Sequence, residues 1–324
     1  MEIKQDGARQ EKLRNVLLLL VRLGLWGDRE EHNTRLNLTE EDWNDVFRLA
    51  MQHTVTGLAF QGVSHLPDSQ IPPQSLLVRW MAETDAVERR NKRMNGVLGQ
   101  LYNIFHEKGL NPILQKGQGV ANYYESPLLR VCGAIDLYFN NKKAWDDALD
   151  FLRKNNITFT KQADEGISYR WQGVDIEHHS RLFDLYNPFL QGFVGKLEGQ
   201  KGYRHTALST YPSVIVTTPS PFLDILLQSL HILKHSVSRG IGLRQMCDMA
   251  RSCYKLHGEI DSEEMKAVCK KIGLHRWCPL LHTFLIDYLG LPKDCLPYED
   301  TAPSAAPLAE IVWRGGHFGQ YDSM

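Results

Sequence analysis

The stretch Pro112-Ile113-Leu114-Gln115-Lys116-Gly117-Gln118-Gly119 and the segment Arg130-Val131-Cys132-Gly133-Ala134-Ile135-Asp136-Leu137 decide the fold of this chain. The apolar residues 112–114 predict a short buried strand, and the two glycines predict a turn. A helix is expected over 118–124. A second strand, expected over 130–139, carries Asp136. The order is therefore strand, glycine turn, short helix, strand.

The next part of the chain continues as a sheet. A helix is predicted over 145–152, and strands are predicted over 157–160, 167–171 and 174–179, with Gln172-Gly173 as the turn between the last two. The insert from Gln191 to Tyr203 contains four glycines and is interpreted as a mobile loop. A small mixed sheet backed by helices is expected.

Both flanks of this core have helical periodicity. Residues 9–110 predict helices, including one long amphipathic helix from Pro72-Pro73 to Gly109, and further helices are predicted over 222–235, 243–256, 262–271 and 275–289. The fold class is α+β: a small mixed β-sheet core flanked by N-terminal and C-terminal helical regions. The predicted boundaries are 1–110 for the N-terminal region, 111–218 for the core and 219–324 for the C-terminal domain.

Composition places the chain among ordinary globular proteins. It has 324 residues, 43% hydrophobic and 23% charged, with a formal net charge of -1, so nothing draws the whole molecule toward nucleic acid or an anionic membrane. The apolar run from Val16 to Trp26 is shorter than the roughly 20 residues needed to span a bilayer. The six cysteines form no Cys-x-x-Cys pair and predict reduced thiols, hence a cytoplasmic location without membrane contact.

The motifs around the two strands resemble a family of bacterial proteins known as uncharacterised nucleotidyltransferases, of the polymerase-β-like superfamily. Members typically contain Leu-Lys-Gly, then Arg-x-x-Gly-Asp-Ile-Asp-Leu, then a strand with Glu-or-Asp-x-His. The matching residues are Lys116-Gly117, Tyr123-Tyr124, Arg130, Gly133, Ile135-Asp136-Leu137 and Glu177-His178-His179. The likeness extends from the leucine-rich N-terminal helix to the Gly315–Gly319 tail. One departure is evident: Ala134 stands where the family has the first Asp of its Asp-x-Asp pair.

The resemblance implies a nucleotidyltransferase site that uses Mg²⁺, with two ions in an intact site. Asp136 and Glu177 are the implied catalytic and metal-binding residues, and Ala134 marks the missing carboxylate, because residues two apart on a strand share a face. Glu177 is also a candidate to accept a proton from the nucleophile. The candidate nucleotide-binding residues are those of the glycine turn and two basic side chains: Lys116, Gly117, Gln118, Gly119, Arg130 and His179. For Lys116 and Arg130, a salt bridge within the protein is an equal alternative to a phosphate contact.

Ala134 has three possible explanations. It is an engineered substitution that traps substrate or removes toxicity, a natural change that leaves a nucleotide-binding pseudoenzyme, or a sign that the site uses other acids. The first is preferred, since an alanine in place of a metal-binding aspartate leaves the fold intact. The chain is then expected to be inactive or nearly so.

Several other side chains have a structural interpretation beside a functional one. His231 and His235 have a spacing that can bind Zn²⁺, but lining the cleft with Arg244 and Asp248, or tying the C-terminal helices to the sheet, is favoured. Four basic residues on the long helix suit a solvated face better than an RNA contact: Arg89, Arg90, Lys92 and Arg93. Tyr123 and Tyr124 suit packing as well as base stacking. His178 is expected to face the other side of its strand.

Three hypotheses of function follow. The first is a Mg²⁺-dependent transferase that moves a nucleoside monophosphate from an NTP to a hydroxyl acceptor of unknown type: a small molecule, a protein side chain, an RNA end or an oligonucleotide. A defence, toxin or signalling role fits it by analogy of fold. The second is an inactive nucleotide-binding regulatory module that engages a partner protein. The third is a helical scaffold that binds no nucleotide. Convergence of Asp136 and Glu177 separates the first from the others.

Overall fold

The computed structural model describes residues 2–27, 35–162, 165–183, 185, 187–238 and 240–316, with side chains from residue 7 onward. A seven-stranded mixed sheet lies within these residues, in the order β3-β4-β5-β2-β1-β7-β6. Its strands are β1 (Ile113–Gln115), β2 (Ile135–Tyr138), β3 (Phe159–Lys161), β4 (Ile167–Trp171), β5 (Val174–His179), β6 (Tyr203–Leu208) and β7 (Tyr211–Pro219). The α+β class expected from the sequence is confirmed.

The strand register brings the carboxylates of the two motifs side by side. β1 and β2 are antiparallel, with Gln115 opposite Asp136. β2 and β5 are parallel, with Asp136 beside Glu177. Because side chains directly across two paired strands share one face, Gln115, Asp136 and Glu177 all lie on the same face of the sheet.

Helices flank the sheet on both sides of the chain. The N-terminal helices are α1 (Glu2–Trp26), α2 (Glu40–Gln52), α3 (Thr56–Val63) and α4 (Gln74–Glu107). Within and after the sheet come α5 (Gly117–Ala121), α6 (Lys142–Lys154), α7 (Gln191–Lys201), α8 (Pro221–Ser236), α9 (Leu243–Leu256), α10 (Ser262–Lys271), α11 (Trp277–Asp287) and α12 (Ala306–Gly315). No helix in the described part of the chain is both long and apolar enough to cross a membrane.

The N-terminal and C-terminal helices share one hydrophobic core. Leu17 and Leu20 of α1 belong to the same buried cluster as Leu226 of α8 and Met249 of α9. A second hydrophobic cluster is formed by buried side chains of the sheet and of α4. The predicted boundaries at residues 110 and 218 therefore mark the limits of the sheet, but they do not separate the hydrophobic cores. As domain boundaries they stay a prediction.

One prediction for the middle of the chain is wrong, and one hairpin was missed. Most of the Gln191–Tyr203 insert is a helix, α7, because Val194 and Leu197 are buried and hold it against the core. Gly202, at φ 65°, ends the helix in a left-handed conformation that glycine adopts at little cost. The hairpin of β6 and β7 was not predicted, although its β7 strand pairs with β1, the neighbour of the central strand β2.

The second strand of the decisive stretch is shorter than predicted. Only residues 135–138 are in β2, and Ala134 directly precedes it. The segment from Pro127 to Leu129, which precedes the predicted strand, forms a single turn of 3₁₀ helix. The tail residues Gly315 and Gly316 are described, whereas positions 317–319 of the motif lie outside the described residues.

Candidate active site

Three side chains on β2 and β5 converge on one point. The Nε2 atom of His179 lies 2.9 Å from Oδ1 of Asp136 and 3.8 Å from Oε2 of Glu177. The three candidate ligand atoms all lie within 4.8 Å of one another. The alternation of β5 explains the arrangement, because Glu177 and His179 share one face while His178 points to the other.

His178 is structural, as its place on the opposite face predicts. It is fully buried, and its Nε2 atom lies 2.9 Å from the hydroxyl of Tyr169. Burial, together with the charge of His179, lowers the pKa of His178 to about 3, so the ring is neutral at physiological pH.

Lys116 completes the charged centre. Its Nζ atom lies 3.4 Å from Oδ1 of Asp136, the same oxygen that His179 approaches. The backbone of Lys116 has φ 48° and that of Gly117 has φ 46°, so the chain turns through left-handed conformations at the end of β1. This turn directs the ammonium group to the face where the carboxylates lie.

The two carboxylates differ in their electrostatics. Burial opposes the charged form of Asp136, but the charge of Lys116 and the contact with His179 outweigh it and lower its pKa to about 2. For Glu177, burial and the neighbouring charge of Asp136 raise the pKa. Asp136 is therefore firmly ionised, and Glu177 is the stronger base of the two.

The centre opens into a cleft of about 1330 Å³. One side is the sheet face with Asp136 and Glu177, and the other is formed by α8 and α9 with His231 and Arg244. This volume exceeds the roughly 300–1,000 Å³ of common small-molecule sites.

Arg130 lies at the cleft wall, but its guanidinium is engaged within the protein. Its Nε and Nη2 atoms donate to the two carboxylate oxygens of Asp248 at 2.9 and 2.5 Å, and the hydroxyl of Tyr124 donates to the same carboxylate at 2.8 Å. The salt bridge that the sequence offered as an alternative is thus formed. A phosphate contact by Arg130 stays a prediction.

Gln118 and Gly119 lie apart from the cleft. The buried Gln118 side chain lines a separate small cavity with Asn91 and Asn95 of α4. A Cβ atom on Gly119 would meet Thr218 of β7 at 3.5 Å, so this glycine is packed against the sheet. Of the glycine turn, Lys116 and Gly117 line the cleft, together with Ala134. The roles of Gln118 and Gly119 in nucleotide binding remain predictions that this placement does not support.

The histidine pair of α8 lines the cleft, whereas Arg244 and Tyr123 make contacts within the protein. His231 and His235 lie with ring centroids 4.3 Å apart on the cleft wall, and burial lowers the pKa of His231 well below its ordinary value. The Nη1 atom of Arg244 donates to the carbonyl of Val131 at 3.1 Å, which ties α9 to the segment before β2. Tyr123 packs inside and donates to Asp224 at 2.6 Å.

The four basic residues on α4 make two kinds of contact. Arg89 and Lys92 form exposed pairs with Asp85 and Glu88 one turn earlier on the helix. Arg90 donates to the carbonyl of Gly133 at 3.2 Å and lines the cleft, while Arg93 donates to the carbonyl of Gln172 at 2.5 Å. Half of the cluster therefore fastens α4 to the sheet.

Sequence reasoning missed two glutamines at the cleft. Gln115 is 2% exposed, and its Nε2 atom has no partner among the described residues. Gln245 is 5% exposed, and within the described part of the chain neither polar atom of its side chain has a partner. Gln115 follows two apolar residues at the end of a predicted strand, next to Lys116, so its position beside the motif was the available signal. Nothing in the sequence around Gln245 sets it apart.

The donor set suits a divalent cation. Two carboxylates and an imidazole can all supply a ligand atom to one ion, and their spacing of at most 4.8 Å allows it. Asp136, Glu177 and His179 are the residues that would hold the ion.

Comparison with known proteins agrees with this architecture. The model of the family described as uncharacterised nucleotidyltransferase matches residues 39–286, and the chain belongs to that family. No match was found among curated proteins. A solved structure, the antigenic nucleotidyltransferase-like protein from Paracoccidioides brasiliensis, is 13% identical over 61% of this chain and 92% of its own, with a TM-score of 0.37. That likeness is too weak to support anything further.

Proposed function

We propose that this protein is built to transfer a nucleoside monophosphate from an NTP to a hydroxyl acceptor, with a divalent cation, Mg²⁺ in the first instance, held by Asp136 and Glu177. The observation that carries the proposal is the meeting of Asp136, Glu177 and His179 at one point of a large cleft. Had the two carboxylates lain apart, the transferase hypothesis would have fallen.

The surroundings of the two carboxylates support the proposal. Lys116 brings a positive charge to the point where a triphosphate would lie beside Asp136. Arg90 and Arg244 add positive charge to the cleft wall. A cleft lined by several basic side chains attracts polyanions such as nucleotides, although the whole chain is nearly neutral.

Each residue has a distinct part in the proposed reaction. A bound divalent ion supplies charge neutralisation for the triphosphate. Asp136 stays ionised because of Lys116 and His179, so its carboxylate would be available to hold the ion at physiological pH. Glu177 lies beside Asp136 in the cleft and would accept the proton of the acceptor hydroxyl. Lys116, whose ammonium lies 3.4 Å from Asp136, would pair with a phosphate oxygen of the triphosphate.

Ala134 leaves this site one carboxylate short. It lines the cleft immediately before β2, so an aspartate there would add a ligand beside Asp136. The chain with Ala134 is therefore proposed to turn over slowly or not at all. Whether the alanine is natural or engineered does not alter the chemistry expected.

The test compares the chain with its Ala134→Asp variant and with an Ala134→Asn control of similar volume. Each purified protein is incubated with a divalent cation and each labelled NTP or dNTP in turn, with and without cell lysate, while pyrophosphate release and label transfer are followed. We expect turnover in Ala134→Asp alone. No turnover by any variant, together with no nucleotide binding, would contradict the proposal.

A second function is favoured by Ala134 itself. A cleft that retains Lys116 and Asp136 but lacks one carboxylate suits a regulatory module that binds nucleotide without turnover. In the same experiment, nucleotide binding by all three proteins with no turnover by Ala134→Asp would support this module and not the transferase.

A further inference from the structure

We infer that His179 is a third ligand of a single divalent ion at Asp136 and Glu177, and that the site therefore selects a first-row transition metal dication over Mg²⁺. The inference deepens the proposed function, on which it rests for the purpose of the ion, and it replaces the Mg²⁺ named there by a transition metal ion. It also explains how ion binding survives in a chain that lacks a carboxylate at position 134.

The geometry of the three donors carries the inference. An ion bound at about 2.1 Å holds neighbouring octahedral ligands about 3 Å apart. The His179 Nε2 atom is 2.9 Å from Asp136 Oδ1 and 3.8 Å from Glu177 Oε2. Without an ion, the carboxylate of Asp136 accepts a hydrogen bond from Nε2–H of His179, so an ion that binds Nε2 would displace this proton to Nδ1 or to solvent. Nε2 then lies at ligand spacing from Asp136, and a small side-chain movement would bring it to ligand spacing from Glu177.

The chemistry of the donors sets the preference. Mg²⁺ takes oxygen ligands almost entirely and keeps several of its waters, whereas an imidazole nitrogen suits transition metals. With Ala134 in place of a carboxylate, one of three protein ligands is a nitrogen. A set of two oxygens and one nitrogen loses more affinity for Mg²⁺ than for Mn²⁺ or the metals that follow it in the Irving–Williams order.

A neighbouring buried donor indicates that the centre is made to hold a ligand. No described residue is a hydrogen-bond partner of the Gln115 Nε2 atom, although Gln115 is 2% exposed. Gln115 is paired with Asp136 across β1 and β2. A buried donor without an acceptor is unfavourable. A water bound to the ion, or a phosphate oxygen beside it, supplies the acceptor that Gln115 lacks.

Lys116 competes with the ion. Its ammonium lies 3.4 Å from the Asp136 oxygen that the ion would use. Removing this charge in Lys116→Met is expected to tighten ion binding by about tenfold, since a like charge near the ion is lost. An ion bound elsewhere on the molecule would not respond.

The experiment is a titration of the protein with Mn²⁺, without nucleotide, followed by electron paramagnetic resonance. We expect one bound Mn²⁺, held at least about tenfold more tightly than Mg²⁺ in competition, with the ¹⁴N coupling of a directly bound imidazole. In His179→Ala, we expect the coupling to vanish and affinity to fall by about 10–100-fold. His275→Ala, at an exposed histidine away from the cleft, is the matched control and should bind as before.

Several outcomes would overturn the inference. They are a Mn²⁺ signal without ¹⁴N coupling, coupling that persists in His179→Ala, or Mg²⁺ binding as tight as Mn²⁺. If His179→Ala does not fold, the coupling in the unaltered chain decides, with Lys116→Met as the second variant. Because no nucleotide is present, this result is independent of turnover by Ala134→Asp, so failure of either idea is recognised separately.

Discussion

Glu177 is held in surroundings that oppose its charge. Burial and the neighbouring Asp136 raise its pKa, so the folded protein binds a proton at Glu177 more tightly than the unfolded chain does. Stability then falls as pH rises between the two pKa values, and the full cost is present above the folded pKa. A carboxylate that weakens the fold while facing a cleft is typical of a functional site.

Replacing Glu177 by an uncharged amide tests directly how much its charge destabilises the folded protein. We expect Glu177→Gln to raise the melting temperature of the cation-free protein at pH 7 by a few degrees, since the amide carries no charge. The gain should vanish near pH 4, where the glutamate is protonated in the folded state. Thermal unfolding over pH 4–8 measures it, and a lower melting temperature at pH 7 would contradict the account.

Asp136 is expected to behave in the opposite way. Its pKa of about 2 is below the unfolded value, so its contribution to stability is present above the unfolded pKa and is lost as pH falls through about 2. Asp136→Asn should therefore destabilise the protein at pH 7 by about 2 kcal/mol. Urea unfolding at pH 7 measures the loss. An unchanged free energy of unfolding would mean that Lys116 and His179 do not stabilise the carboxylate.

At the scale of elements, the ion pair between Arg130 and Asp248 joins the segment before β2 to α9. Both side chains are buried, and the pair is bidentate. Removing one partner of such a pair leaves an uncompensated buried charge and costs about 3–5 kcal/mol, whereas an apolar replacement of both partners is often neutral. We therefore expect Asp248→Asn to unfold at much lower urea than Arg130→Met combined with Asp248→Leu.

The same double variant decides the role of Arg130. If the arginine only positions the segment before β2, the double variant should bind nucleotide as the unaltered chain does, measured by calorimetry. If Arg130 also contacts phosphate, nucleotide affinity should fall although the fold is restored. An equal loss of stability in the single and double variants would contradict the structural role.

Glycine sets the close crossing of α1 and α3. A Cβ atom on Gly62 would lie 1.9 Å from the carbonyl oxygen of Leu20, and one on Gly24 would lie 2.2 Å from that of Leu58. Gly62→Ala is therefore expected to destabilise the protein by about 3 kcal/mol or more. Gly96→Ala is the matched control inside α4, where no described neighbour lies within 4 Å of the added atom, and should stabilise the protein by about 0.5–1 kcal/mol. Chemical denaturation compares the two, and equal effects would contradict the packing.

At the scale of the whole molecule, we expect the two helical flanks to unfold as one body. They share a hydrophobic core. Arg251 of α9 adds polar links, donating to the carbonyls of Leu25 and Tyr123, each at 2.8 Å. In hydrogen exchange, we expect peptides of α1, α8 and α9 to be exposed by a single opening of equal free energy. Full exchange of α1 while α9 stays protected would show that the flanks are independent.

The sequence predicted some of this molecule well, for identifiable reasons. The strands over 167–171 and 174–179 follow from strict alternation, and the helices over 243–256 and 262–271 follow from their apolar periodicity. The β7 strand was missed although Val214, Val216 and Thr218 alternate inward as a strand requires. The glycines of α7 masked a helix that tertiary burial stabilises.

The candidate site was predictable only in part. The family resemblance implied that Asp136 and Glu177 act at one site and left their convergence to be tested. The structure brings them together because they are paired residues on the parallel neighbours β2 and β5. The pairing of Arg130 with Asp248 joins residues 118 positions apart, and no local pattern signals it. Gln118 lies outside the cleft because of the direction of the five-residue helix α5, and the glycine turn alone does not specify that direction.

One measurement tests the central claim most directly: an anomalous difference map from crystals of the protein soaked with Mn²⁺ and a non-hydrolysable NTP. The account predicts a single strong Mn²⁺ peak bounded by Asp136, Glu177 and His179, with the triphosphate beside it in the cleft near Lys116. A metal peak elsewhere, or a nucleotide bound outside the cleft, would contradict it.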